Sequence, residues 1–229
     1  MQTAFVDQFA RIGKAIASPG RLLLLDALAQ GGRTVESLAT ECRMSVANAS
    51  QHLRILAGAQ LVVSDKRGLH VHYRIAGPAV EALLVCLQRT AAVQLAEVSR
   101  LAQEHLRAEV PLHGIDRQEL SRRVAAGEVT LIDVRPVEEY EAGHLPGALS
   151  VPLPDLAQHL NALPRGRDVV AYCRGPYCAM SGEAVVELVR HGYHASTLAD
   201  GVLEWRNAGL FTVGGNTSEM TGPRSRKSS

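Results

Sequence analysis

The sequence predicts two domains: a mainly α domain over residues 1–107, then an α/β domain with a mainly parallel sheet over residues 108–213. Two observations carry this. Apolar residues recur at helical spacing through most of the first half, interrupted by one hairpin-like stretch with a basic tip. In the second half short β-branched runs alternate with helical segments, the pattern of strands joined by crossover helices. A chain of 229 residues with 46% hydrophobic content is long and apolar enough for two ordinary cores.

Taken in order, Phe5, Phe9, Ile12 and Ile16 fall on one face of a helix over residues 3–17. Ser18-Pro19-Gly20 breaks it, and a second helix runs from Arg21 to Gln30, ended by Gly31-Gly32. Thr34 has the side chain of an N-cap for a short helix through Cys42, and Ser45 for the next, to about Ala59. Leu61 to Ser64 and Leu69 to Ile75 read as strands around a tip at Lys66-Arg67-Gly68. After Gly77-Pro78 one long helix is expected to about Leu106, with an apolar stripe including Val80, Leu83, Leu84, Leu87 and Leu95. Arg107 to Gly114 is the linker. Val129 to Val134 and Val169 to Tyr172 are strands, and Ala179 to Arg190 is a helix ended by His191-Gly192. Residues 214–229, Gly/Ser-rich and basic, read as a disordered tail.

Composition removes several classes of function. Aromatics make up 4%, which argues against base stacking on aromatic platforms. No apolar run approaches the roughly 20 residues of a membrane-spanning helix, so no membrane partner is expected. Charges at the N-terminus disfavour a signal peptide, and the expected location is the cytoplasm. Four cysteines in a chain of this length are expected to be reduced thiols there, not a disulfide framework. The net charge of +1 conceals an asymmetry. Residues 1–107 hold 12 Lys/Arg against 8 Asp/Glu, net +4; residues 108–229 hold 12 against 15, net −3. A basic half hints at nucleic-acid contact, although an imbalance of a few charges also arises by chance.

Three helices followed by a basic-tipped hairpin is the element order of a winged helix-turn-helix. In the segment from Ser45, Ala49, Leu53 and Leu56 would pack inward, while Ala47, Asn48, Gln51 and Arg54 fall on the other face. Short and amide side chains near the N-terminus suit a major-groove helix, because Asn and Gln pair bidentately with adenine edges. Ser45 and the helix N-terminus would hold a phosphate, and Lys66 and Arg67 would touch the backbone. On an isolated helix the same residues would read as an ordinary solvated face.

The stretch Lys14 to Leu22, the segment Ser45 to Leu56 with Gln51-His52-Leu53, and Arg67 to Arg74 together resemble the ArsR-type winged-helix repressors over about residues 5–105. The resemblance implies that Ser45, Ala47, Asn48, Gln51, His52, Arg54, Lys66 and Arg67 face DNA. It also implies a homodimer built on the first and last helices, and hence a palindromic double-stranded operator. Many such proteins sense metals, but only Cys42 lies between Thr34 and Met44, and Glu81, Glu97, Glu104 and His105 are poorly spaced for tetrahedral ligation. No metal and no cofactor are expected. Cys42 and Cys86 read as small core residues; a persulfide-sensing pair is the alternative.

In the second half, Leu131 to Pro136, Glu138 to Tyr140, Gly143 to Ala148, Val169 to Gly175, and Leu198 to Gly201 with Trp205 resemble the rhodanese domain over about residues 113–212. Asp200 departs from it, where glycine is commoner. The chemistry also follows from the residues. Cys173 sits at the carboxyl end of a strand, facing the start of the next helix. Gly175 and Pro176 let the backbone curl through Tyr177 and Ala179, so that N–H groups point inward. Such a nest at a helix N-terminus lowers a thiol's pKa and favours an anionic persulfide. A structural buried cysteine is the plainer reading, but the cradle disfavours it. Phosphatase-like loops need an arginine six residues after the nucleophile, and position 179 is alanine. Rhodaneses using thiosulfate often have a basic residue five after the cysteine, and that position is Cys178. Arg174 remains to attract an anionic donor. Cys178 would either attack a persulfide on Cys173 or pack as a neutral thiol.

Together these readings predict a DNA-binding regulator, a repressor, that handles a small sulfane-sulfur donor through Cys173. The alternatives are a sulfurtransferase passing sulfur to a thiol or cyanide, and a redox repressor working through Cys42 and Cys86.

Overall fold

A computed structural model of the chain describes residues 2–105, 114–210 and 212–214. The expected linker and tail lie largely outside these residues.

The first domain packs α1 (Gln2–Ile16), α2 (Pro19–Ala29), α3 (Val35–Glu41) and α4 (Val46–Gly58) beside a three-stranded antiparallel sheet. Its strands, in the order β1-β3-β2, are β1 (Arg33–Thr34), β2 (Val62–Arg67) and β3 (His70–Ile75). Both expected caps form: Thr34 accepts from the Ser37 N–H and Ser45 from the Asn48 N–H, each at 3.2 Å. α2 starts two residues earlier than expected. The break after α1 forms as expected, and Pro19 within it opens α2, because a first-turn residue needs no intrahelical N–H partner. The core gathers Leu24, Leu25, Leu28, Leu38, Ala49, Leu53 and Leu56.

Two expectations are corrected in this domain. β2 and β3 pair as far as Arg67 with His70, so the hairpin turns at Gly68-Leu69, and Lys66 and Arg67 are the last strand residues before the tip. The long helix divides into α5 (Pro78–Gln94) and α6 (Ala96–His105), bent by 99°. Leu95 is extended (φ −115°, ψ 101°), which ends the i→i−4 ladder there. Among the described residues no single helix is long and apolar enough to cross a membrane. Phe5 and Phe9 of α1 are exposed, while Ile12 and Ile16 on the same face pack against the core.

The second domain is a five-stranded sheet in the order β4-β8-β7-β5-β6, with every pair parallel. Its elements are β4 (Gly114–Ile115), α7 (Arg117–Ala125), β5 (Val129–Asp133), α8 (Val137–Ala142), β6 (Leu149–Ser150), α9 (Leu156–His159), β7 (Asp168–Tyr172), α10 (Met180–Arg190), β8 (Ala195–Leu198) and α11 (Val202–Asn207). β7 shows why its sequence is a continuous apolar run. Val169 and Ala171 face one core and Val170 and Tyr172 the other, so both faces are covered. β5 is buried along its whole length.

The two domains touch through polar and apolar groups. Arg135, just past β5, donates to Gln30 Oε1 at the end of α2, at 3.0 Å. Arg206 on α11 donates to the Ala29 carbonyl at 2.5 Å and pairs with Glu81 on α5 at 3.2 Å. Leu203 of α11, 1% exposed, belongs to the core of the first domain.

Candidate functional site

The sulfur loop runs from the end of β7 to the start of α10. Cys173 is 2% exposed, with Sγ 3.3 Å from Ser181 Oγ in the first turn of α10 and 3.4 Å from the Cys178 carbonyl. The thiol is drawn down to about 6. A hydrogen bond from the Cys178 thiol leads, followed, against the opposing effect of burial, by the Ser181 hydroxyl and the N–H groups of Ser181 and Gly175. Cys178 moves the other way. Its proton is held in the bond to Cys173, and burial adds to the upward shift. At neutral pH the pair is therefore a thiolate at 173 beside a neutral thiol at 178. Ser181 is a contributor that the sequence reading missed; its signal was a hydroxyl in the first turn of the helix facing the nucleophile.

The loop backbone is fixed from behind. A Cβ at Gly201 would lie 2.4 Å from the carbonyl carbon and oxygen of Arg174 and 2.6 Å from the Gly175 nitrogen, so only glycine permits this approach. The Gly201 N–H is held by Glu204 Oε2 at 2.8 Å. Asp200 pairs with Arg117 at 2.6 Å, so the residue that departs from the rhodanese pattern ties β8's end to α7. Gly175 adopts φ +145° and supplies one of the inward N–H groups. Pro176 and Tyr177 are exposed at the mouth and line, with α5 and α11, a cleft of about 290 Å³. Ala179 immediately precedes α10.

Arg174 takes a direction that the sequence reading did not foresee. Its guanidinium is gripped by Glu139, through Nε to Oε2 at 3.0 Å and a second bond from Nη2 to Oε1, and it pairs with Glu41 of the first domain at 2.7 Å. Two carboxylates thus engage the cation that was expected to attract an anionic donor.

On the side expected to face DNA, Ser45, Ala47, Asn48, Gln51 and Arg54 are all exposed, as are Lys66 and Arg67 on β2. Arg67 pairs with Asp65 at 3.0 Å. His52 is the exception in this set. It is half-buried, its Nδ1 is buried without a hydrogen-bond partner, and its ring packs so closely on Gly20 that a Cβ there would lie 2.9 Å from Nε2. Position 52 sits one residue before the core-facing Leu53, so helical geometry turns its side chain toward α2.

The remaining candidates lie apart. Cys42 caps α3 half-buried, its thiol pushed up by burial and by Glu41, and Cys86 is exposed on α5. All four cysteines are free thiols. Glu97 and Glu104 both pair with Arg100. Among the described residues no three His, Cys, Asp or Glu side chains gather as a metal set.

Comparison with known proteins matches the same two parts. A model of the bacterial regulatory protein arsR family matches residues 18–64, and the rhodanese-like domain model matches residues 116–208. The chain is 47% identical over 209 residues to the HTH-type transcriptional regulator Rv0324 of Mycobacterium tuberculosis, covering 91% of this chain and 92% of that protein. It is 37% identical over 101 residues to a sulfurtransferase of Allochromatium vinosum, covering 43% of this chain and 92% of that protein. A solution structure of the homodimeric winged helix-turn-helix DNA-binding domain of Mb0332 from Mycobacterium bovis, a possible ArsR-family regulator, is 42% identical with a TM-score of 0.40, covering 41% of this chain and 87% of that one. With near full-length similarity to an HTH-type regulator and both domain models in order, the chain belongs to the ArsR-family transcriptional regulators that carry a C-terminal rhodanese domain.

Proposed function

We propose that this regulator is a cytoplasmic homodimeric repressor of sulfur-related genes whose grip on a palindromic operator depends on the sulfur state of Cys173. The observation that carries the reading is the buried Cys173 at the start of α10, its thiol lowered by the hydrogen bonds around it, in a domain packed directly against a DNA reader. The Cys173 thiolate attacks the terminal sulfane sulfur of a polysulfide. The donor's S–S bond breaks, the shortened polysulfide leaves with the electron pair, and Cys173 keeps one sulfur as an anionic persulfide. Cys178 acts as the hydrogen-bond donor to that anion. The exposed apolar residues Phe5, Phe9, Val93 and Leu95 on α1, on α5 and at the α5–α6 bend support a second copy as their cover.

The test is duplex binding by wild type and Cys173→Ser, each with and without polysulfide, with mass spectrometry of the same samples. A change of affinity confined to wild type, in step with one added sulfur on Cys173, is expected. An equal response from Cys173→Ser overturns the reading and moves the signal to Cys42 and Cys86.

A second reading, sulfur transfer to a thiol or cyanide, is favoured by the similarity to a sulfurtransferase. Multiple-turnover thiocyanate release with unaltered duplex affinity would put it first.

A further inference from the structure

The sulfur loop and the helix leading into α4 are joined by a closed ring of alternating charges. Arg33 pairs with Glu41 at 2.8 Å and with Glu139 at 2.7 Å; Arg174 pairs with the same two carboxylates. Arg33 and Glu41 belong to the first domain, and Glu139 and Arg174 to the second. Arg174 directly follows Cys173. Glu41 is the last residue of α3, four positions before Ser45, the N-cap of α4.

The corners of the ring are unequal. Glu139 is fully buried and chelates Arg174 with two hydrogen bonds. Glu41 approaches both guanidinium groups closely, yet neither of its carboxylate oxygens has a hydrogen-bond partner. A charge contact without that alignment is the one that gives first when the loop moves. The loop must move to take sulfur, because Cys173 is 2% exposed and its Sγ is hemmed by Ser181 and Cys178. Gly201 blocks retreat behind Arg174 and Gly175, and Arg174, the residue next to Cys173, is itself held by the ring.

We propose that Glu41 is the joint between the sulfur loop and the first domain, its contact with Arg174 linking the occupancy of Cys173 to the α3–α4 turn that presents the recognition helix. The inference rests on the reading of Cys173 as the sulfur-accepting, DNA-coupled thiol. Its route is direct contact between the domains, in place of transmission along the chain that joins them. Linkage makes the effect reciprocal: bound DNA must alter sulfur loading as much as loading alters DNA affinity.

The experiment uses the full chain, sodium tetrasulfide as donor, and a duplex selected from a random pool by the wild-type protein. Wild type is expected to change duplex affinity at least fivefold on loading. Glu41→Gln should reach the wild-type extent of Cys173 loading at a fixed tetrasulfide concentration by mass spectrometry, yet change affinity less than twofold, and saturating duplex should no longer alter that extent. Glu36→Gln, on the same helix but outside the ring, should behave as wild type. Arg33→Gln breaks the ring at a neighbouring corner and should repeat the loss, which serves if Glu41→Gln does not fold. A wild-type response in both ring variants overturns this inference alone, as does loss of sulfur loading in a folded Glu41→Gln protein. A wild-type protein that loads sulfur without any change in affinity overturns the proposed function, and this inference with it.

Discussion

Arg135 reaches out of the second domain to Gln30 in the first, Nη1 to Oε1 at 3.0 Å, while the rest of its guanidinium is closed around Asp133 and the Gly143 carbonyl. Both Arg135 and Asp133 are fully buried. One arginine thus completes the fold of its own domain and seats that domain on its neighbour. The two roles separate by mutation. Arg135→Met would strand a buried carboxylate and should lower the stability of the second domain by about 3–5 kcal/mol. Gln30→Ala removes one hydrogen bond, with an expected effect of about 1 kcal/mol or less. Denaturant unfolding followed by the fluorescence of Trp205, the single tryptophan, reads both.

The acidity of Cys173 gives a direct pH dependence. A thiol drawn down to about 6 reacts as a thiolate above that pH and loses reactivity as pH falls through it. Alkylation by iodoacetamide should therefore show a midpoint near 6. Cys178→Ala and Ser181→Ala each remove a hydrogen bond to the anion and should move the midpoint upward, toward the ordinary thiol value of about 8.5. An unchanged midpoint in both variants would count against the cradle.

Gly201→Ala places a methyl where the Arg174 carbonyl now lies, 2.4 Å away. The loop has to shift, and the N–H groups that converge on Cys173 shift with it. A rise of the thiol from about 6 to about 8 would cut the thiolate fraction at pH 7, and Cys173 alkylation with it, about tenfold. Circular dichroism should stay close to wild type, since the sheet order does not depend on this contact.

On the DNA side, Asn48→Ala and Gln51→Ala should each weaken binding to a selected duplex by about 1–3 kcal/mol if they read base edges. Lys66→Ala should instead lower the salt dependence by about one ion without relaxing sequence preference. His52→Ala is expected to act on stability, because the ring packs against Gly20. Binding titrations at several salt concentrations, with thermal melts alongside, distinguish the three.

Most of the architecture was legible in the amino-acid order because local rules wrote it. Ser45 and Thr34 cap because a hydroxyl before a helix can reach a free N–H, and β7 reads as a strand because both its faces are covered. The position of Cys173 between a strand and a helix followed from the same short-range signals. The exceptions were also local: Pro19 opens α2, and Leu95 turns α5 into α6 without a proline or glycine to announce it.

The sequence by itself determined the order of helices and hairpin from α1 to β3, that there are two domains, and which thiol sits at a helix start. It could not determine where long side chains go, because the partners of Arg174, Arg135 and His52 are distant in the chain. Glu41 stands 133 positions before Arg174, and Gln30 stands 105 before Arg135. Periodicity reports only which face of an element is covered, whereas an ion pair needs two surfaces brought within a few ångströms by packing. The docking of one domain on the other therefore decided that Arg174, gripped by Glu139 of its own domain, also meets Glu41 of the first.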